Sequence, residues 1–294
     1  MERELIVDDR YNLTGGEFNL DHSIVVDGCA VDVGTRVHTW DHPKGFDGYT
    51  TKTCEIVTED RETGRKRIQV IRGPRYGRRS KGLASIRQFF VHHSGGDGDG
   101  AGNVYRTLYE QRPPGLSCHF VIDDDGTVWQ FNDVVDRCRH AGKHNDCAVG
   151  VECSLYPLAD ERPGYYRAER NERTGNLPHE VVEDTIHGRK MRVFAFTNPQ
   201  VEALARIAAG TWLGVRRRME ELGMTVPDGL SSAPLFPRTT QGEIPRTVYR
   251  KHRSHTGLIG HLQCSRNKID PAGFPWAQLE ERVADLCAEF EGTA

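Results

Sequence analysis

Gln88-Phe89-Phe90-Val91-His92, which runs on into the glycine-rich stretch Ser94-Gly95-Gly96-Asp97-Gly98-Asp99-Gly100, decides how the chain is read. An apolar run this short, closed by turn-forming residues, reads as a buried strand rather than a helix. Its last residue, His92, can therefore face a cleft. Downstream, Asn103 to Arg112 reads as a short helix stopped by Pro113-Pro114. His119-Phe120-Val121-Ile122 and Thr127-Val128-Trp129-Gln130-Phe131 flank Asp125-Gly126, the signature of a hairpin turn. Ala148-Val149-Gly150-Val151-Glu152 is a further short strand. A long helix opens at Asn198-Pro199, with Asn as cap and Pro as first helical residue, and closes at Gly223. Its apolar positions Val201, Leu204, Ala208, Trp212, Val215, Met219 and Leu222 recur every three or four residues, as a core-facing stripe requires. A last amphipathic helix carries Trp276, Leu279, Val283, Leu286 and Phe290. Strands and helices interleave, so the class is α/β or α+β.

The chain has 294 residues, enough for one large domain or two small ones. With 37% hydrophobic and 28% charged residues it has the composition of a globular protein, and collagen-like, low-complexity and wholly disordered readings fall away. Thirty-nine Lys and Arg against 42 Asp and Glu give a net charge of −3, so nucleic acid is not an expected partner by composition. No apolar run approaches the roughly 18 residues of a membrane helix. The opening MERELIVDDRYNLTGG lacks the apolar core of a signal peptide, so the expected location at synthesis is the cytoplasm. The eight cysteines are scattered without a paired motif, which suggests reduced, mostly buried thiols.

Residues 1–60 carry short β-like runs, among them Ser23-Ile24-Val25-Val26 and Cys54-Glu55-Ile56-Val57. The following run, Arg65 to Lys81, holds eight basic residues and no carboxylate. It reads as a solvated linker or a charge-protected strand edge, with a patch for an anionic polymer as the alternative. A boundary is placed near Gly82, giving a β-rich N-terminal extension over 1–82 and a second domain over 83–294. Residues 156–190, charged and irregular, read as a surface insertion.

Ligand-type residues concentrate at His92-His93, between Arg139-His140 and Glu152, and between His261 and Asp270. His261 follows the apolar Leu258-Ile259-Gly260, as His92 follows its own strand. Two imidazoles and one carboxylate suit a zinc ion that keeps an open position for water. Cys264 competes with Asp270 for the third ligand, because His261-Leu262-Gln263-Cys264 brings both ends within reach of one ion. His93 is expected to point away from the metal by strand alternation, and His119 to pack or hydrogen-bond in the core.

Six motifs occur in a fixed order: Phe90-Val91-His92-His93-Ser94; Leu116 to Ile122 with Asp125-Gly126-Thr127-Val128; Arg139-His140-Ala141-Gly142; Val149-Gly150-Val151-Glu152; Phe196-Thr197-Asn198-Pro199-Gln200; and Gly260-His261 to Lys268-Ile269-Asp270-Pro271. Together they resemble the zinc-dependent N-acetylmuramoyl-L-alanine amidase family of type 2, which also contains phage lysozyme amidases and peptidoglycan recognition proteins. The resemblance spans roughly residues 84–290 and implies a central mixed β-sheet flanked by helices. It implies that His92, His261 and Asp270 bind Zn2+, that Glu152 is the catalytic base, that Lys268 stabilises the oxyanion, and that His140 contacts the muramyl-peptide substrate. An Asp ligand and a Glu base resemble the muropeptide-recycling branch. Cys118 stands where the phage-lysozyme branch has a catalytic Tyr, which directs the base role to Glu152.

The implied activity is hydrolysis of the amide between the lactyl group of N-acetylmuramic acid and L-alanine, in cell-wall lysis by a phage endolysin or injected effector, or in muropeptide recycling. Wall action would follow lysis, injection or another release. The N-terminal region is the place left for a delivery or wall-targeting partner. The alternative is a non-catalytic peptidoglycan-binding module, which the joint presence of His92, His261 and Asp270 disfavours.

Overall fold

A computed structural model describes residues 5–49, 53–59, 66–72, 82–96, 100–111, 116–166 and 177–293, with backbone alone for 53–59, 66–72 and 110–111. Strands β1 (Ser23–Val26) and β2 (Cys29–Asp32) pair as a hairpin around Asp27-Gly28, whose φ values of 50° and 77° are the left-handed pair a two-residue turn needs. Then come β3 (Val37–His38) and an antiparallel pair, β4 (Thr53–Glu59) with β5 (Lys66–Arg72). The middle of the basic run is therefore strand; Arg65 and residues 73–81 lie outside the described residues.

The central elements are β6 (Gln88–His93), the short helix α1 (Ala101–Tyr105) passing into a wider turn over Arg106–Gln111, β7 (Phe120–Ile122), β8 (Val128–Gln130) and β9 (Ala148–Cys153). The chain ends with β10 (Val181–Ile186), β11 (Arg189–Phe194), α2 (Asn198–Glu221), β12 (Gly257–Gly260) and α3 (Trp276–Gly292). One six-stranded sheet has the order β12-β6-β9-β7-β8-β3. Its pairs are parallel except the hairpin of β7 and β8 around Asp125-Gly126. This is the mixed α+β architecture expected of the sequence.

Side-chain alternation on β6 and β9 gives the sheet two unlike faces. Phe89, Val91, Val149 and Val151 enter the main hydrophobic core with Leu204, Ala208 and Trp212 of α2 and Leu279, Val283 and Leu286 of α3. Gln88, Phe90, His92, Ala148, Gly150 and Glu152 point the other way. That second face carries a small apolar cluster of Phe90, Ala141, Ala148 and Ile259, and around it the polar residues of interest.

Three sequence expectations shift in detail. The cap of α2 is Thr197, whose hydroxyl accepts from Gln200 N while the Gln200 side chain accepts from Thr197 N. This reciprocal pair satisfies two orphan helix donors at once, so it displaces Asn198 from the capping position and puts Pro199 one residue further in. Leu222, counted in the apolar stripe, is half exposed because the helix has already ended at Glu221. The stretch 156–190 includes regular structure: β10 and β11 form a hairpin around His187-Gly188, with φ of 52° and 78°; residues 167–176 lie outside the described residues. The seven cysteines with described side chains are free thiols, six of them buried.

Residues 5–49 share the main core. Tyr11, Leu13, Ile24, Val26, Val31 and Val33 are buried in it, and β3 extends the central sheet. The hairpin of β1 and β2 lies on α2 at Gly210 and Gly214, where a Cβ on Gly210 would sit 2.2 Å from Val33 Cγ1. Glycine costs about 1 kcal/mol against alanine inside a helix, and here it permits that close approach. The Asp133 carboxylate accepts from Asp27 N and Gly28 N, each at 2.8 Å, and Gln130 exchanges two hydrogen bonds with the backbone of Val25. The first part of the segment expected as an N-terminal extension is thus built into the same hydrophobic core as β6, β9, α2 and α3.

Candidate metal centre

His92 stands near the end of β6, on the face away from the main core, and His261 begins the turn after β12. Because β12 and β6 are parallel neighbours, with Gly260 opposite Val91, their ends bring the two imidazoles together. Asp270 returns to the same place through a loop whose backbone is pinned by Leu262 N donating to Asp270 O at 2.8 Å. His92 Nδ1 lies 2.7 Å and His261 Nδ1 3.0 Å from one carboxylate oxygen, Asp270 Oδ2. His92 and Asp270 are buried and His261 is partly so.

Burial alone would raise the Asp270 carboxyl, but the hydrogen bonds from His261 and His92 outweigh it and hold it well below the ordinary range. Burial pushes His92 down to about 4 against the pull of Asp270. Two imidazoles and one carboxylate form an N2O donor set that fits a divalent ion of the zinc class. With ligand bonds of roughly 2.0–2.2 Å, tetrahedral ligands sit about 3.4 Å apart, so each of the two nitrogens needs to draw back from Asp270 Oδ2 by only a fraction of an ångström.

Glu152 is the register partner of His92 across β6 and β9, so both side chains leave the sheet on the same face. Glu152 makes no hydrogen bond or ion pair among the described residues, which removes Arg139 and Lys143 as structural partners for it. Burial holds its carboxyl well above the ordinary range, the charge of Asp270 adds to this, and Lys268 opposes it. Lys268 itself is exposed, and its carbonyl accepts from His187 Nε2 at 2.9 Å.

His140 packs behind the cluster, with Nδ1 3.1 Å from His92 Nε2. Asn145 Oδ1 accepts from the backbone N–H of both His140 and Ala141, fixing this turn. Gly150 makes room for the ring: a Cβ there would fall 2.4 Å from His140 Nδ1. His93 and His119 stand apart from the cluster. His119 is buried, its Nδ1 accepting from Gly150 N at 3.0 Å and its Nε2 donating to Asp136 O at 2.8 Å.

Cys264 does not converge with His92, His261 and Asp270. It falls instead in a second group with His144 and His252, in which one ligand atom from each residue lies within 4.8 Å of the others. His252 carries no signal of this in the sequence, since Arg250-Lys251-His252-Arg253-Ser254-His255 looks like a charged surface loop. Among the described residues no helix is long and apolar enough to cross a membrane.

Residues 82–219 match the family model described as N-acetylmuramoyl-L-alanine amidase. The matched stretch contains His92, His140 and Glu152, and ends before His261, Lys268 and Asp270. No curated protein matches the chain significantly. Among solved structures, an endolysin N-acetylmuramoyl-L-alanine amidase, LysCS from Clostridium intestinale URNW, is similar at 13% identity and a TM-score of 0.37, covering 71% of this chain and 90% of that one. A drosophila peptidoglycan recognition protein, PGRP-SD, is similar at 13% identity and a TM-score of 0.32, covering 67% of this chain and 80% of that one. A selenomethionine derivative of AmpD has 15% identity and a TM-score of 0.32, covering 69% and 97%. Residues 82–219 of this chain are thus similar to the N-acetylmuramoyl-L-alanine amidase family.

Proposed function

We propose that this chain is a zinc-dependent peptidoglycan amidase that hydrolyses the amide between the lactyl group of N-acetylmuramic acid and the L-alanine of the stem peptide. The family match over residues 82–219 carries this reading, and the convergence of His92, His261 and Asp270 supplies its chemistry. These three would hold the metal, which when bound lowers the pKa of water and polarises a carbonyl. Glu152 is the base: it takes the proton of the attacking water and passes it to the departing L-alanine nitrogen. Its position beside His92, with no competing partner, suits a group that must gain and lose a proton. Lys268 brings a positive charge to the same face and offsets the negative charge that develops on the carbonyl oxygen. His140, in contact with His92 Nε2, orients that ring and reaches the muramyl-peptide from the same turn. An Asp ligand with a Glu base supports placement near the muropeptide-recycling branch, while a wall-lytic setting is the other use of the same chemistry.

Digestion of purified peptidoglycan, and separately of soluble anhydro-muropeptides, with products read by mass spectrometry, tests the reading. Stem peptides with a free L-alanine amino group are expected, and the better substrate distinguishes wall lysis from recycling. Binding of zinc-loaded protein to peptidoglycan without release of peptides would establish a recognition module instead.

A further inference from the structure

Gln88 shares a face of β6 with Phe90 and His92, and stands at the opposite end of that face from His92, His261 and Asp270. Its amide is fully committed: Nε2 donates to the carbonyls of His252 at 2.6 Å and His255 at 2.9 Å. Oε1 is thereby turned to His144 Nδ1 at 2.7 Å, and only a donated proton satisfies that contact. The tautomer so fixed leaves the lone pair of His144 on Nε2, which faces His252 Nδ1 at 2.9 Å. Cys264 completes the group, with the three ligand atoms within 4.8 Å of one another. A hydrogen bond to the remote ring nitrogen that sets tautomer and orientation is the usual support of a metal-binding histidine.

We propose that His144, His252 and Cys264 form a second metal site, separate from His92, His261 and Asp270, that takes a thiolate-binding divalent cation of the zinc class. The donor set is softer than the first, since sulfur replaces a carboxylate oxygen, and it excludes magnesium and calcium, which prefer oxygen. Binding converts the Cys264 thiol to a thiolate and releases its proton to solvent. His252 and Cys264 are partly exposed, which leaves a path for the ion and a fourth position for water. The ring of Phe90 stands between the groups, its centroid 5.7 Å from that of His92 and 5.1 Å from that of His144. The ion would tie the His252 loop to the turn that carries His261, because Cys264 N donates to His261 O at 2.9 Å.

The test loads the full-length protein with Co2+. The first group contains no sulfur, so a near-ultraviolet thiolate-to-cobalt charge-transfer band reports the second site alone. Expected are two ions per chain by elemental analysis and a thiolate band, with one ion and no band in Cys264→Ser. His252→Ala, at a partly exposed position, gives the same loss of one ion and serves if the cysteine variant does not fold. A wild-type protein without a thiolate band, or a band unchanged in both variants, overturns the proposal. Absence of amidase turnover with the band intact would count against the proposed amidase function and not against this site.

Discussion

His92 and Glu152 are register partners across the parallel pair β6 and β9, with His140 closing over His92 from behind. The ligand and the base of the proposed reaction would therefore be fixed by the same ladder of backbone hydrogen bonds. This arrangement separates metal binding from proton transfer. Glu152→Gln preserves shape and should keep the metal, while turnover falls by about 10²–10⁴, the usual contribution of a positioned base. Metal analysis together with the rate of stem-peptide release checks this, and near-normal turnover would remove Glu152 from the mechanism.

Removing the metal should act on stability as well as activity. The first cluster holds a buried carboxylate between two imidazoles, and an ion at 100 times its dissociation constant stabilises the fold by about 2.7 kcal/mol. Chelation should lower the melting temperature and abolish turnover, and zinc should restore both. His261→Ala and Asp270→Ala should lose the response of melting temperature to zinc at the first cluster. A chelator with no effect on either quantity would argue against a metal there.

Gly150 is the position at which a single methyl group should disturb the site. In Gly150→Ala the new Cβ meets the His140 ring at 2.4–2.6 Å, so the ring must leave its place against His92 Nε2. Overpacking of this kind costs about 1–3 kcal/mol. The expected result is a lower melting temperature and reduced kcat, with the metal still bound. Unchanged kcat would show that His140 does not orient His92.

The N-terminal segment should prove indispensable to folding. Tyr11, Leu13, Ile24, Val26, Cys29, Val31, Val33 and Val37 are buried in the main core, and each contributes about 1.5–3 kcal/mol on burial. Together they match or exceed the roughly 5–15 kcal/mol by which a domain is stable. A protein beginning at Gly82 is expected to be insoluble or to lack a cooperative thermal transition. A soluble, cooperatively unfolding fragment would show that residues 5–49 only cover the core.

What could be read from the sequence was what neighbouring residues decide. The apolar run ending at His92, the Asp125-Gly126 hairpin and the three-to-four spacing over Val201–Met219 arise from strand alternation, turn sterics and helical pitch. That His92, His261 and Asp270 lie together could be expected because ordered motifs mark the ends of such elements. Where Cys264 goes could not be read. Three residues from His261 it competes for the same ion on paper, yet the turn after β12 aims it at His144 and His252, more than a hundred residues away from one of them and in a loop that reads as charged surface. The docking of Ile24 and Val33 on Gly210, and of Val26 and Val31 on Gly214, was equally hidden, since a glycine inside a helix does not announce which strand will lie on it. Tertiary structure decided these pairings because they depend on the parallel order β12-β6-β9, which sets segments far apart in sequence side by side; local periodicity says which face a side chain takes, and only the sheet order says whom it meets there.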